Sequence, residues 1–238
     1  MDEIDYCINQ LNTMPLSETE RAVKVRAAVR LGKIGGPRAV EQLIKNLRDI
    51  DPWVRANSAI ALSKLSDPRI LPEFVLALID PEWEVRTIAV KMIKKSGDSS
   101  LIPRIIQLLR ESDRDFQEAY LISALKELGE LAVDASLEAL RYPDIQFPIA
   151  CVLGSMAEDG IEVDLSVARR RLKAAYEAEK DLAKKGELKG DAMFSYMTIA
   201  NSIAKSKQMD GVLLEGRIKP PKKVIYRSAK GALRVARQ

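Results

Sequence analysis

Histidine is absent from this 238-residue chain, and its absence limits the available chemistry more than any other feature of the composition. Without histidine the chain lacks the usual general base, the Ser-His and Cys-His nucleophile pairs, and the ligands of most zinc and iron sites. The two cysteines, Cys7 and Cys151, are too few to complete a zinc site. The sequence also contains no glycine-rich phosphate loop and no Gly-x-Ser-x-Gly motif. We therefore expect no catalytic residue, no metal ion and no cofactor.

Carboxylate pairs exist but carry no specific signal. Glu127 and Glu130, for example, lie three residues apart in the sequence. Nothing in their surroundings distinguishes this pair from the carboxylates of an ordinary surface helix. The sequence therefore favours binding over catalysis.

A regular series of cations near the C-terminus is the sharpest binding signal. Its spacing of four, three, four and three residues would place all the cations within one arc of roughly 80° on a helix. The members are Lys223, Arg227, Lys230, Arg234 and Arg237. Such a stripe can follow phosphates or an acidic protein surface, while the alanine-rich opposite side disfavours membrane insertion. A solvated terminal helix, whose dipole favours cations near its C-terminus, explains the stripe equally well.

The cations belong to a chain with uneven charge. Residues 161–238 carry 18 basic and 9 acidic side chains, a net charge of +9. Residues 1–160 carry 20 basic and 25 acidic side chains, a net charge of −5. This asymmetry is expected of a scaffold with two different contact surfaces.

A repeat of 31 residues organises the elements that must position these side chains. Steps of 31 residues give four apolar columns: Leu47, Leu78, Leu109 and Leu140; Val40, Leu71, Ile102 and Val133; Ile44, Val75, Ile106 and Leu137; Val23, Val54, Val85 and Phe116. Each copy contains two short amphipathic segments separated by a breaker such as Ser66-Asp67-Pro68. Because such short helices are unstable alone, the pairs must stack on one another. The pattern predicts an all-α fold, an α-solenoid of helical hairpins.

Short motifs within the copies resemble the HEAT repeat, specifically the short HEAT-like variety named after the phycobilin lyase subunits. They are Val54-Arg55, Val85-Arg86, Ala61-Leu62, Leu31-Gly32-Lys33-Ile34-Gly35 and Asp67-Pro68-Arg69. The resemblance covers about residues 20–157 and implies that the second helix of each pair lines an inner, concave surface. Some HEAT-like enzymes hold iron with paired histidine and glutamate, which this chain cannot supply. Bilin lyase activity is the one enzymatic function that the resemblance suggests, and the repeat itself carries no lyase chemistry.

The chain is predicted to consist of three parts. Residues 1–16 form an N-terminal capping helix, and residues 17–160 form the HEAT-like array of four repeats with a degenerate fifth. The four repeats span about 18–50, 51–81, 82–112 and 113–144. Residues 161–238 form a basic helical C-terminal region that does not repeat and that ends in a helix after Pro220-Pro221.

The second helices carry the predicted partner-binding residues. The position after the core leucine holds Arg48, Ile79, Arg110 and Arg141 in successive repeats. By the resemblance, these residues form a basic ladder on the inner surface with an apolar gap at Ile79. Leu76, whose counterparts are Lys45, Gln107 and Glu138, adds a second outward-facing apolar residue to this gap. An apolar spot within a polar ridge can anchor a partner, although helix-terminal cations and one isolated leucine explain the pattern equally well.

The junctions between repeats carry a second pattern. Arg55 and Arg86 follow Asp51 and Glu82 by one helical turn, and we predict that they form a structural ladder between repeats. Trp53 and Trp83 lie in the same junctions and are expected to be half-buried. A tryptophan that is exposed there would be a contact residue.

These observations favour a cytoplasmic scaffold or adaptor that binds a protein partner. The sequence has no apolar run long enough to span a membrane, its acidic N-terminus is unlike a signal peptide, and its two cysteines are expected to be reduced thiols. The alternative is nucleic-acid or ribonucleoprotein binding through the basic C-terminal helix. A lyase-type or chaperone-like subunit is a minor alternative, and the sequence leaves the oligomeric state open.

Overall fold

A computed structural model describes residues 2–13, 17–112, 115–164, 166–168 and 170–171, together with two strands at 224–227 and 233–236. The helices in these residues are α1 (Glu3–Leu11), α2 (Glu18–Ile34), α3 (Pro37–Asn46), α4 (Pro52–Leu62), α5 (Ile70–Ala77), α6 (Trp83–Ser96), α7 (Ile102–Glu111), α8 (Asp115–Leu128), α9 (Glu130–Ala139) and α10 (Gln146–Glu158). A short 3-10 helix, Ser99–Leu101, precedes α7. The chain divides into two compact units, residues 1–101 and 102–238.

The repeat correctly predicts where the helices lie, and the all-α solenoid fold is confirmed. The four predicted repeats contain α2 and α3, α4 and α5, α6 and α7, and α8 and α9, and the fifth contains α10. Within residues 1–101, α2 packs on α4 and α4 packs on α6, so first helices of successive repeats lie side by side. Within residues 102–238, α7 packs on α8 and α9, and α10 packs on α8 and α9.

The apolar columns form the core, with exceptions at the ends of helices. The leucine column is buried in all four copies, at Leu47, Leu78, Leu109 and Leu140. Three other column residues, Val23, Ile44 and Leu71, are only half-buried. Phe116 is exposed, contrary to the column prediction, because it lies in the first turn of α8 and its ring packs beside Tyr120 with 5.8 Å between ring centroids.

Helix α1 packs on α2 and α3 at the start of the array. The Asp2 carboxylate caps it by accepting a hydrogen bond from the backbone N–H of Asp5 at 2.6 Å. Cys7 and Leu11 are the buried residues of α1, and burial raises the pKa of the Cys7 thiol. A raised pKa lowers the fraction of reactive thiolate, so Cys7 acts as a small core residue.

Gly32 allows α2 and α4 to approach closely. A Cβ atom added at Gly32 would lie 2.6 Å from the Cβ of Ala61 on α4. Two carbon atoms cannot approach this closely without displacement of one helix. The glycine in the Leu31-Gly32-Lys33-Ile34-Gly35 motif is therefore a packing requirement between adjacent repeats.

We expect Gly32→Ala to lower the free energy of unfolding by up to about 2 kcal/mol, because an overpacking cost of about 1–3 kcal/mol is only partly offset by the helix propensity gain of about 1 kcal/mol. Ala61→Gly alone should cost about 1 kcal/mol, but it should stabilise the Gly32→Ala variant by relieving the collision. Urea unfolding of the two single variants and the double variant measures this coupling. Additive effects would show that the two helices do not meet at these residues.

The predicted C-terminal helix is wrong. Val224–Arg227 and Leu233–Ala236 are antiparallel strands, β1 and β2, with Val224 opposite Ala236 and Arg227 opposite Leu233. The β-branched and aromatic residues Val224, Ile225 and Tyr226 favour a strand, and this preference competes with the helical spacing of the cations. For the rest of the predicted helical C-terminal region, the structure describes only residues 161–164, 166–168 and 170–171. The carboxylate of Asp164 does accept hydrogen bonds from the backbone N–H groups of Ser166 and Val167, at 3.0 and 3.1 Å, as a helix cap does.

Candidate protein-binding surfaces

The first surface lies at the ends of the second helices α3 and α5, within residues 1–101. Arg48, just after α3, forms an ion pair with Glu73 on α5, with 2.7 Å between Nη2 and Oε2. Leu76 follows Glu73 by three residues on the same helix, so the two side chains share a face. Leu76 is exposed and Ile79 is half-buried. The structure therefore places the predicted residues Arg48 and Leu76 on one surface, linked by Glu73.

Glu73 is absent from the sequence prediction, although one signal could have identified it. It lies one turn before Leu76 and 25 residues after Arg48. The same separation joins Lys24 to Asp49 and Arg55 to Asp80. A search for charge pairs at this separation would have found all three.

The second surface lies within residues 102–238, around Tyr142. The Arg110 guanidinium carbon is 4.1 Å from the Tyr142 ring centroid, and that of Arg141 is 4.8 Å from it. Arg141 also donates a hydrogen bond to the Tyr142 hydroxyl at 2.7 Å, and Arg110 Nε is 2.9 Å from Asp144 Oδ2. The group borders a cleft of about 480 Å³ lined by Pro103, Ile106, Gln107, Arg110, Glu111, Tyr142 and Asp144. Two predicted cations are thus brought together by a tyrosine that the repeat comparison does not single out.

The inner face therefore differs from a bare basic ladder. Arg48 pairs with Glu73 and Arg110 with Asp144, and Arg141 Nη1 lies 3.8 Å from Glu138 Oε2. These arginine side chains are well exposed, so the pairs contribute only about 0–1 kcal/mol each to stability. Each unit thus presents an ion-paired cluster whose charged groups can exchange partners at little cost to the fold.

The predicted structural ladder exists, but its carboxylates are different ones. Arg55 is buried and pairs with Asp80 through Nε at 2.9 Å and Nη2 at 3.1 Å. Buried Lys24 pairs with Asp49 at 2.8 Å in the preceding repeat. Asp51, the predicted partner of Arg55, instead caps α4 and accepts a hydrogen bond from Arg21 at 2.5 Å. Its carboxylate is occupied by the helix end, which leaves Asp80 of the next junction for Arg55.

The tryptophans of the junctions also differ from the prediction. Trp53 and Trp83 lie in the first turns of α4 and α6, and both side chains are mostly exposed. Two exposed tryptophans are unusual on a surface that contacts only water. Their exposure makes them candidate contact residues.

One part of the repeat array matches a protein-family model. Residues 14–75, which contain α2, α3, α4 and most of α5, match the model for HEAT repeats. These residues are similar to HEAT repeats. The repeat of this chain has a period of 31 residues, which is shorter than the usual HEAT period of about 40–47.

Solved structures with long coverage are only distantly similar to this HEAT-repeat chain. An engineered protein from the Northeast Structural Genomics Consortium has a TM-score of 0.38 and 18% identity over 85% of this chain and 98% of its own. The complex of CpcE and CpcF of phycocyanin lyase from Nostoc sp. PCC7120 has a TM-score of 0.40 and 21% identity over 88% of this chain and 89% of its own. No curated protein matches the sequence.

The described residues also bear on metal binding, on membrane spanning and on the predicted polyanion site. Among them, no group of three or more histidine, cysteine, aspartate or glutamate side chains is arranged to hold a metal ion. None of the described helices is long and apolar enough to cross a membrane. In the predicted polyanion site, Arg227 and Arg234 lie in β1 and β2, where the helical spacing of the stripe does not apply. Its other members, Lys223, Lys230 and Arg237, lie outside the described residues.

Proposed function

We propose that this HEAT-repeat protein is a non-enzymatic cytoplasmic scaffold or adaptor that binds a protein partner. The contact is made by the surface of Arg48, Glu73, Leu76 and Ile79 on the second helices. The observation that carries the proposal is the exposure of Leu76 at a position where the other three repeats have polar residues. An exposed leucine at such a position contributes nothing to the core, and a partner would gain by covering it.

The surroundings of Leu76 have the composition of a small interface. Ile79 adds apolar surface three residues further on, and the Arg48–Glu73 pair provides a charged rim. Specific interfaces commonly combine an apolar centre with a polar rim that excludes water. Stacked repeats also extend such a surface over several helices, which suits a scaffold better than a small-molecule site.

We expect Leu76→Lys to leave the fold intact and to weaken partner binding by about tenfold or more, because the anchor would become a buried charge in the complex. Lysine occupies the equivalent position on α3, Lys45, so the second helix of a repeat tolerates lysine there. Co-purification of the tagged full chain from its native lysate, compared by quantitative mass spectrometry, measures the loss.

Ile34→Lys is the matched control. Ile34 is 39% exposed and Leu76 is 36% exposed, but Ile34 ends α2 rather than facing outward from α5. The control should retain the partner. Undiminished co-purification with Leu76→Lys would exclude this surface. A partner that is lost after nuclease treatment, with a steep dependence on salt, would support nucleic-acid binding instead.

A further inference from the structure

Residues 1–101 carry a second exposed apolar surface, at the junctions between repeats. Ile50 is 80% exposed, Trp53 is 61% exposed and Trp83 is 62% exposed. We infer that this junction surface, Ile50, Trp53 and Trp83, binds a basic amphipathic segment of a protein partner. It consists of different residues from the Leu76 surface, and the inference does not depend on the function proposed for that surface.

A single guanidinium group shows that the two junctions are adjacent. Arg55 Nη1 donates hydrogen bonds to the carbonyls of Asp49 and Ile50, at 2.9 and 3.2 Å, in the loop before α4. Its Nε and Nη2 donate hydrogen bonds to the Asp80 carboxylate in the loop before α6. Because the donors of one guanidinium lie within a few ångströms of each other, the loops before α4 and α6 must be neighbours. Trp53 and Trp83, which follow these loops directly, therefore lie at one edge of the unit.

The carboxylates of Asp49 and Asp80 are already paired within the junctions. Asp49 accepts hydrogen bonds from Lys24 and from the backbone N–H of Asp51, at 2.8 and 2.9 Å. Asp80 accepts from Arg55 and from the backbone N–H of Glu82, the latter at 2.8 Å. A partner thus gains little from these polar groups and must contact the apolar side chains. Since the loops are fixed in place, presenting the two indole rings costs little conformational entropy on binding.

Local charge determines the kind of partner. Asp49, Asp51 and Asp80 are neutralised by Lys24, Arg21 and Arg55, respectively. Arg86 donates to the carbonyls of Asp80 and Pro81, at 2.6 and 2.8 Å. Glu82 and Glu84 lie on either side of Trp83, and among the described residues neither carboxylate has an ion-pair partner. Carboxylates thus outnumber the cations at this edge, and an anionic partner would be repelled.

A basic side chain matches this arrangement. A lysine or arginine over the face of Trp83 would gain a cation–π contact, and the neighbouring carboxylates would attract the same charge. Ile50 and Trp53 would cover apolar side chains of the same segment. Exposed Ile60 follows Trp53 by seven residues, so it lies on the same face of α4 about 10 Å further along. That length corresponds to about two turns of an amphipathic helix.

Intrinsic fluorescence can test the inference, because Trp53 and Trp83 are the only tryptophans in the chain. The full chain is titrated with an 18-residue amphipathic peptide of leucine and lysine, and separately with the same peptide carrying glutamate in place of lysine. We expect a saturable blue shift of emission with the lysine peptide and none with the glutamate peptide. A dye-labelled peptide gives the affinities of variants that lack tryptophan.

Variants of the chain test whether the lysine peptide binds at the junction surface or is only attracted by the charge of the whole protein. Trp53→Ala with Trp83→Ala should weaken binding of the lysine peptide about tenfold or more, and Glu82→Gln with Glu84→Gln about fivefold. Leu76→Lys should bind the peptide as the wild type does. Equal binding of both peptides, binding of neither, or unchanged affinity in the two double variants would overturn the inference. A blue shift that grows with protein concentration alone would assign the surface to a second copy of this chain.

Discussion

Arg55→Met is expected to lower the free energy of unfolding by about 3–5 kcal/mol, the largest effect of any substitution proposed here. The variant removes a buried cation and leaves the Asp80 carboxylate, whose side chain is only 9% exposed, without its main partner. It also removes the donor to the Asp49 and Ile50 carbonyls, so two junctions lose their connection. Urea unfolding followed by circular dichroism measures the change.

Two further variants test whether the cost comes from the loss of the Arg55–Asp80 ion pair. Arg55→Met combined with Asp80→Asn should be more stable than Arg55→Met alone, because no uncompensated buried charge remains. Arg48→Met breaks an exposed ion pair with the same 25-residue separation and should cost less than about 1 kcal/mol. If Arg55→Met costs no more than Arg48→Met, the junctions do not depend on the buried pair.

Leu78→Ala is expected to lower the free energy of unfolding by about 2–5 kcal/mol through lost burial and the cavity that remains. Leu78 follows α5 directly, is completely buried and belongs to the leucine column. Because neighbouring repeats stabilise each other, the loss should spread beyond the second repeat. Hydrogen exchange should therefore become faster in α4 and α6 as well as in α5.

Leu76→Ala is the matched control for Leu78→Ala, since it removes the same atoms two residues away from an exposed position. Its expected cost is less than about 0.5 kcal/mol. A cost this small for Leu78→Ala would mean that the repeat register is wrong. Equal and large costs for both variants would mean that Leu76 is a core residue rather than part of a binding surface.

The sequence predicts the helices well because the periodicity is repeated. A single segment such as residues 54–65 gives a weak helical pattern, but four copies with the same leucine column determine the helix positions jointly. Errors of a few residues remain at the helix ends, where α4 stops at Leu62 and α5 begins at Ile70. The position where a helix ends there depends on turn residues such as Asp67. The Asp67 carboxylate accepts hydrogen bonds from the backbone N–H and the side chain of Arg69, and these hydrogen bonds lower its pKa to about 2.

The parts that sequence reasoning missed depend on tertiary contacts. Arg55 has carboxylates near it in sequence at Asp49 and Asp51, and only the positions of the loops decide that it pairs with Asp80. The exposure of Trp53 and Trp83 follows from their location in first helical turns, outside the face that packs on the neighbouring helix. The C-terminal error has another cause. The helical spacing there was one of cations rather than of core residues, and no burial supports such a pattern over the strand preference of Val224, Ile225 and Tyr226.

Site-specific photo-crosslinking at position 76 tests the central claim, that this HEAT-repeat protein binds a protein partner through its second helices. Benzoylphenylalanine is placed at Leu76 in one preparation and at Ile34 in the other, and each full chain is irradiated in its native lysate. We expect a discrete protein adduct at position 76 that survives nuclease treatment and that is absent at position 34. No adduct at position 76, the same adducts at both positions, or an adduct that nuclease removes would contradict the claim.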